Sequence, residues 1–194
     1  MKTGSSPGRE ARLGLEMAKV SIVNVVATAA LGQRVDLAEL GKHQQILHDS
    51  EIYGGRVAYF RSPRFNGEVT IFASGKMISV GTKSEAEAFR ALECAKEFLV
   101  KEGFIEAATL EKKIQNMVLV ADLGKEVNLE DLAQNSKMIY EPEQFPGGIL
   151  RIEEPSRATV LIYASGKAVF AGLKSSAEIR PLTRKLEEIV RSRG

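Results

Sequence analysis

The residues with the most chemical potential in this chain come in matched sets. Asn24 and Asn116 are asparagines inside largely apolar runs, IVNVVAT and KIQNMVLV. Ser-Gly-Lys occurs at 74–76 and again at 165–167, each time with a second lysine farther on, Lys83 and Lys174. An amide donates and accepts hydrogen bonds and a lysine meets anions, so these sets suit binding rather than bond breaking. No catalytic constellation accompanies them. His43 and His48 lie close together, but no cysteine or second cluster joins them as metal ligands, and they read as a solvated helix end. The Ser-Gly-Lys triplets lack the preceding glycine spacing of a P-loop. Gly54-Gly55 and Gly147-Gly148 sit in hairpins rather than between a strand and a helix, which argues against a nucleotide cradle. The single cysteine, Cys94, leaves no internal disulfide and reads as a small buried helix residue in a reducing compartment. The expectation is a protein with no catalytic residues, no metal and no cofactor.

The 194 residues are 44% hydrophobic, enough for a real core. No apolar run approaches the roughly 18 residues of a membrane span, and no charged-then-apolar signal opens the chain, so a soluble, non-secreted protein is expected. Net charge is +2. Residues 1–19 hold four basic and two acidic side chains, 20–104 ten of each, and 105–194 thirteen of each. A body this neutral can bind a polyanion only if its charges are segregated between surfaces.

The elements that position these residues are duplicated. SIVNVVATAALGQRVDLAEL (21–40) reads against KIQNMVLVADLGKEVNLEDL (113–132), and FASGKMISVGTKS (72–84) against YASGKAVFAGLKS (163–175). Asn24 to Asn116 and Tyr53 to Phe145 span 92 positions, while Phe72 to Tyr163 and Lys83 to Lys174 span 91. Two copies at so long a period predict a pseudo-twofold molecule: a leader (1–19), a first repeat (20–104) and a second (105–194). Each repeat should open with a strand (20–28; 112–120) and a short helix capped by Asp36 or Asn128. Several strands and a long amphipathic helix follow. The first long helix has Ser84 as N-cap, Glu87 completing a capping box and Gly103 ending it. The second has Ser176 as cap, with Pro181 kinking or delaying it.

One long and one short helix per repeat can cover only one face of such a sheet. The other face would carry Ile22, Val26, Thr70, Phe72, Ile78 and Val80, then Ile114, Val118, Val120, Leu161, Tyr163, Val169 and Ala171. Soluble proteins rarely leave so large an apolar patch open to water, so something should cover it.

At these residues the chain resembles the TATA-box-binding protein family, over residues 20 to about 192. IVNVVAT, IFASGKM, KIQN, YEPEQFPGG and LIYASGK occur in family order and spacing. The resemblance implies an α+β saddle: a curved antiparallel sheet of ten strands, helices on the convex face, promoter DNA in a widened minor groove against the concave one. The family is the type example of sheet-based minor-groove binding with apolar wedges. It implies that Asn24 and Asn116 donate to A N3 and T O2 near the centre of the site, where a guanine amine would clash. Val26, Val118, Ile78, Val80, Leu161, Val169 and Ala171 would line the groove. Val80 and Ala171 stand where the family usually has threonine. Tyr53 and Phe72, then Phe145 and Tyr163, would be the wedge pairs, with two tyrosines where phenylalanine is usual.

By the same resemblance, Arg61, Lys76, Lys83, Arg151, Lys167 and Lys174 would contact phosphates. Glu141, Glu143 and Gln144 of the YEPEQF stirrup would bind a transcription factor B-type protein, and through it RNA polymerase. A homodimer without DNA, an archaeal cytoplasm and, in a eukaryote, a nucleus are further implications. Two other readings stand beside this one. A divergent factor with relaxed TATA selectivity is motivated by the tyrosines and missing threonines, and a protein-interaction scaffold keeps the fold alone.

Overall fold

Alternation and turn chemistry shape the chain from its first strand. The structure, a computed structural model, describes residues 19–49 and 51–193 but not the side chains of Ile52, Tyr53 and Arg193. The expected leader, apart from Lys19, lies outside the described residues. In chain order come β1 (Lys19–Ala30), α1 (Leu37–Leu40), β2 (Ile46–Leu47), β3 (Val57–Phe60), β4 (Glu68–Phe72), β5 (Lys76–Thr82) and α2 (Glu85–Lys101). The second half follows with β6 (Glu111–Asp122), α3 (Leu129–Asn135), β7 (Gly147–Ile152), β8 (Ala158–Tyr163), β9 (Lys167–Leu173) and α4 (Ile179–Arg193).

All the strands join one antiparallel sheet in the order β2-β3-β4-β5-β1-β6-β9-β8-β7. The order is a mirror about the β1–β6 pair, which is where the two halves meet. There Asn24 lies opposite Val118, and Val26 opposite Asn116. The same two residue types trade places across the ladder, as a pseudo-twofold axis requires. Among the described residues the sheet has nine strands rather than the expected ten. The counterpart of β2, at the opposite edge beside β7, is a single bridge between Ile139 and Ile149. Pro142, three residues on, has no N–H to extend a ladder there.

One side chain in two points into a single core. Val25, Ala27, Val69, Ile71, Met77, Met117, Leu119, Val160, Ile162 and Phe170 are fully or almost fully buried. Ala88, Ala91, Leu92 and Leu99 of α2 and Leu182, Leu186 and Val190 of α4 belong to the same core. Cys94 is buried in α2, where burial pushes its thiol up from the ordinary value. Asp36 caps α1 by accepting from the N–H groups of Ala38 and Glu39, and Asn128 caps α3 by accepting from Asp131. Ser84 caps α2 through the Glu87 N–H at 3.1 Å, while the Glu87 carboxylate accepts from Lys83 N–H, so the box closes one residue earlier than expected. The serine that caps ahead of α4 is Ser175, not Ser176, and it accepts from Ala177 N–H to cap a 3-10 turn rather than the helix itself. A 3-10 turn over Ser176–Glu178 intervenes, and Pro181 falls in the first turn of the helix, where its missing N–H has no partner to lose.

The open face differs from expectation at one mirrored pair. Ile114 is 6% exposed, inside the core, and Ile22 packs against it. The β1–β6 ladder shifts register between Ile22 and Asn24 and again between Val26 and Ala27. A bulge of this kind reverses which side chains face the helices, and a period-two reading carried straight through it misplaces them.

Candidate nucleic-acid interface

The face opposite the helices carries a continuous set of half-buried side chains. Asn24, Val26, Ile78, Val80, Asn116, Val118, Leu161, Val169 and Ala171 all belong to it. Among the described residues no segment of the chain lies across it as a covering layer. Each is less exposed than an isolated strand would leave it, because neighbours on the pleat crowd one another.

Both asparagines are held by the backbone. Gly81 N–H donates to Asn24 Oδ1 at 2.9 Å, and Gly172 N–H donates to Asn116 Oδ1 at 2.8 Å. Gly81 has φ +84° and Gly172 φ +102°, backbone that suits glycine and sits where the β1–β5 and β6–β9 registers slip. With its oxygen engaged, each amide has its Nδ2 hydrogens left for a partner. The middle of the face thus presents donors in an apolar field. These glycines were legible in the sequence only as a repeated Gly, 57 positions after one asparagine and 56 after the other.

The two aromatics expected as the second wedge pair lie side by side. The Phe145 and Tyr163 rings lie with centroids 6.0 Å apart and planes at 59°. Phe145 N–H donates to Glu141 O at 3.0 Å, which closes the turn that presents the ring. Gly147 leaves room for both rings: a Cβ there would stand 2.9 Å from Phe145 Cε1 and 3.3 Å from Tyr163 Cδ1. In the first repeat Phe72 ends β4 opposite Val57, just as Tyr163 ends β8 opposite Gly147. Strand register therefore relates β3 to β7 by 90 positions, not the 92 that aligned Tyr53 with Phe145. Tyr53 stands four residues before Val57, whereas Phe145 stands two before Gly147. Its backbone is in a 3-10 turn, Ile52–Gly55, and its side chain lies outside the described residues. A cavity of about 600 Å³ opens beside Phe72, Ile78 and Thr28, with Lys76 and Lys113 in its lining.

Lys76, Lys83, Arg151, Lys167 and Lys174 are exposed, and among the described residues no carboxylate pairs with them. Arg61 is different. Its guanidinium grips Glu68 Oε2 through Nη2 at 2.7 Å and Nε at 2.9 Å. Carboxylates of the helix-bearing side are engaged with their own cations: Glu93 with Lys96 and Lys112, Glu97 with Arg64. Those contacts hold the Glu93 carboxyl below the usual carboxylate range, Lys112 being the larger cause and Lys96 the next. A chain of near-zero net charge thereby keeps unpaired cations at its strand ends. Glu141, Glu143 and Gln144 are exposed together in their turn. No group of His, Cys, Asp and Glu among the described residues could hold a metal ion. No helix among them is long and apolar enough to cross a membrane.

Comparison with known proteins converges on this geometry. The family described as "Transcription factor TFIID (or TATA-binding protein, TBP)" matches residues 19–101 and 111–192. The chain is 37% identical over 160 residues to a TATA-box-binding protein of Cenarchaeum symbiosum, covering 82% of this chain and 87% of that one. It is 37% identical over 175 residues to one of Methanocaldococcus jannaschii, covering 89% and 94%. A solved structure titled Methanococcus jannaschii TBP superposes with a TM-score of 0.79 at 35% identity, covering 90% of this chain and 99% of that one. With a duplicated sheet, a bare face centred on mirrored amides and relatives matched along both halves, the chain belongs to the TATA-binding protein family.

Proposed function

We propose that this protein is a general transcription initiation factor that binds A·T-rich promoter DNA in the minor groove. One observation carries the reading: both central amides have their oxygens tied to glycine N–H groups, leaving donors alone to face a partner. The minor groove of an A·T pair offers only acceptors, adenine N3 and thymine O2, while a G·C pair adds the guanine amine, a donor that would meet a donor. Apolar Val26, Val118, Val80 and Ala171 around the amides suit the groove floor. Phe145 and Tyr163 act as the wedge at one end and Phe72 with Tyr53 at the other, prying base steps apart as the family is known for. Lys76, Lys83, Lys167, Lys174 and Arg151 take flanking phosphates, and Arg61 does so once released from Glu68. The Glu141–Gln144 turn docks a transcription factor B-type protein that brings RNA polymerase. Nothing in this role calls for catalysis.

A competition gel shift with an A·T-rich duplex and a scrambled one of the same length tests it. Strong preference for the first is expected. Equal affinity for both would replace it with a relaxed-selectivity factor. Energy transfer across the duplex tests the wedges: Phe72→Ala and Phe145→Ala should each reduce bending, and unchanged bending would favour a protein-interaction scaffold.

A further inference from the structure

The two halves of the open face are alike in shape but unlike in chemistry. On the first half, cross-strand pairing sets Tyr59, Thr70, Ile78 and Thr28 in one row across β3, β4, β5 and β1. The mirrored row on the second half is Ile149, Leu161, Val169 and Val120. All eight are half-buried on the open side. Within this row, three hydroxyls on the first half thus stand against none on the second, where the hydroxyls of Thr159 and Tyr163 lie in the neighbouring rows. Thr28 Oγ1 already accepts from Gln115 Nε2 at 2.8 Å. The Thr70 and Tyr59 hydroxyls have no hydrogen-bond partner among the described residues.

Resting on the minor-groove reading above, we infer that the first repeat tolerates a G·C pair in its outer half-site where the second demands A·T, with Thr70 as the residue that decides. A threonine oxygen accepts a hydrogen bond as well as donating one, so it can receive the guanine N2 amine. Against Leu161 and Val120 the same amine is stripped of water and left unpaired, a loss that discriminates strongly. The central amides stay hostile to guanine on both halves, so the tolerance is confined to the outer row. One G·C pair therefore orients the saddle on an otherwise symmetric site, with repeat one over it.

The test uses the full chain and three duplexes: a symmetric all-A·T site, the same site with one outer G·C pair, and one with a G·C pair in each outer half. Orientation is read by a cleavage reagent tethered at Ser165→Cys, an exposed turn position of repeat two. The single G·C pair should leave affinity within about threefold and place the cuts almost wholly at the all-A·T end, while the double substitution weakens binding by about tenfold or more. Thr70→Val should abolish the orientation and make one G·C pair about as damaging as two. Leu161→Thr should restore binding to the doubly substituted duplex. If the all-A·T duplex binds but the single G·C pair gives cuts at both ends equally, or Thr70→Val changes nothing, the inference fails while minor-groove binding stands. If no duplex binds, the underlying reading fails first.

Discussion

A single carboxamide does two jobs at the centre of this molecule. Its oxygen satisfies a glycine N–H that the strand slip would otherwise strand, and its nitrogen is thereby aimed outward. Asn116→Asp separates the two roles, since a carboxylate still accepts from Gly172 but can no longer donate. Thermal stability should barely move, while affinity for an A·T-rich duplex falls by about 1–3 kcal/mol, roughly ten- to a hundredfold, by gel shift or anisotropy. Asn116→Leu should lose both, because the Gly172 N–H then loses its acceptor as well as the face its donor. The amides and their neighbours were readable from residue type and repetition alone. Their orientation was not, because it depends on which of two identical-looking ends meets a glycine on a strand 56 positions away.

At the scale of elements, helix ends and turns hold the face in register. Ser84→Ala removes the α2 cap and should destabilise the fold by about 1 kcal/mol, a drop of about 2–4 °C in Tm. Glu87 is held below the usual carboxylate range by the N–H of Lys83 first and of Asn66 next. A depressed carboxylate stabilises the folded state above its ordinary pKa and loses that contribution as pH falls through its folded value. The Tm deficit of Glu87→Gln should therefore be largest near neutrality and vanish in acid below the usual carboxylate range, by calorimetry. Gly147→Ala puts a Cβ between the Phe145 and Tyr163 rings; bending should fall more than stability does. The caps at Asp36, Ser84 and Asn128 and the order of strands and helices were legible from residue types and periodicity, whereas the Ser176 cap and a tenth strand were expected and not found among the described residues. Tyr53 shows where such reading stops: a uniform repeat offset cannot register the two extra residues between it and β3, and Ile114 changed sides at a bulge no periodicity displays.

For the molecule as a whole, duplication was visible in the letters, and with it the mirrored sheet. The distribution of charge was not, because balance is a matter of who sits beside whom. With Lys76, Lys83, Arg151, Lys167 and Lys174 exposed and, among the described residues, without carboxylate partners, affinity should fall steeply with salt, log K dropping by about 0.9 per phosphate contact for each decade of salt. Lys76→Ala or Lys167→Ala should each reduce that slope by about one, and a flat response would remove the phosphate assignments. The halves share one seam, β1 against β6, paired from Lys19 with Asp122 through to Ala30 with Glu111. A girder welded along its midline has no elbow. In any complex the compliant body is then the double helix, whose stiffness varies with sequence, this family being the standard illustration of the effect. Rigid promoters would be occupied less often, yet every promoter that is occupied should take the same curve.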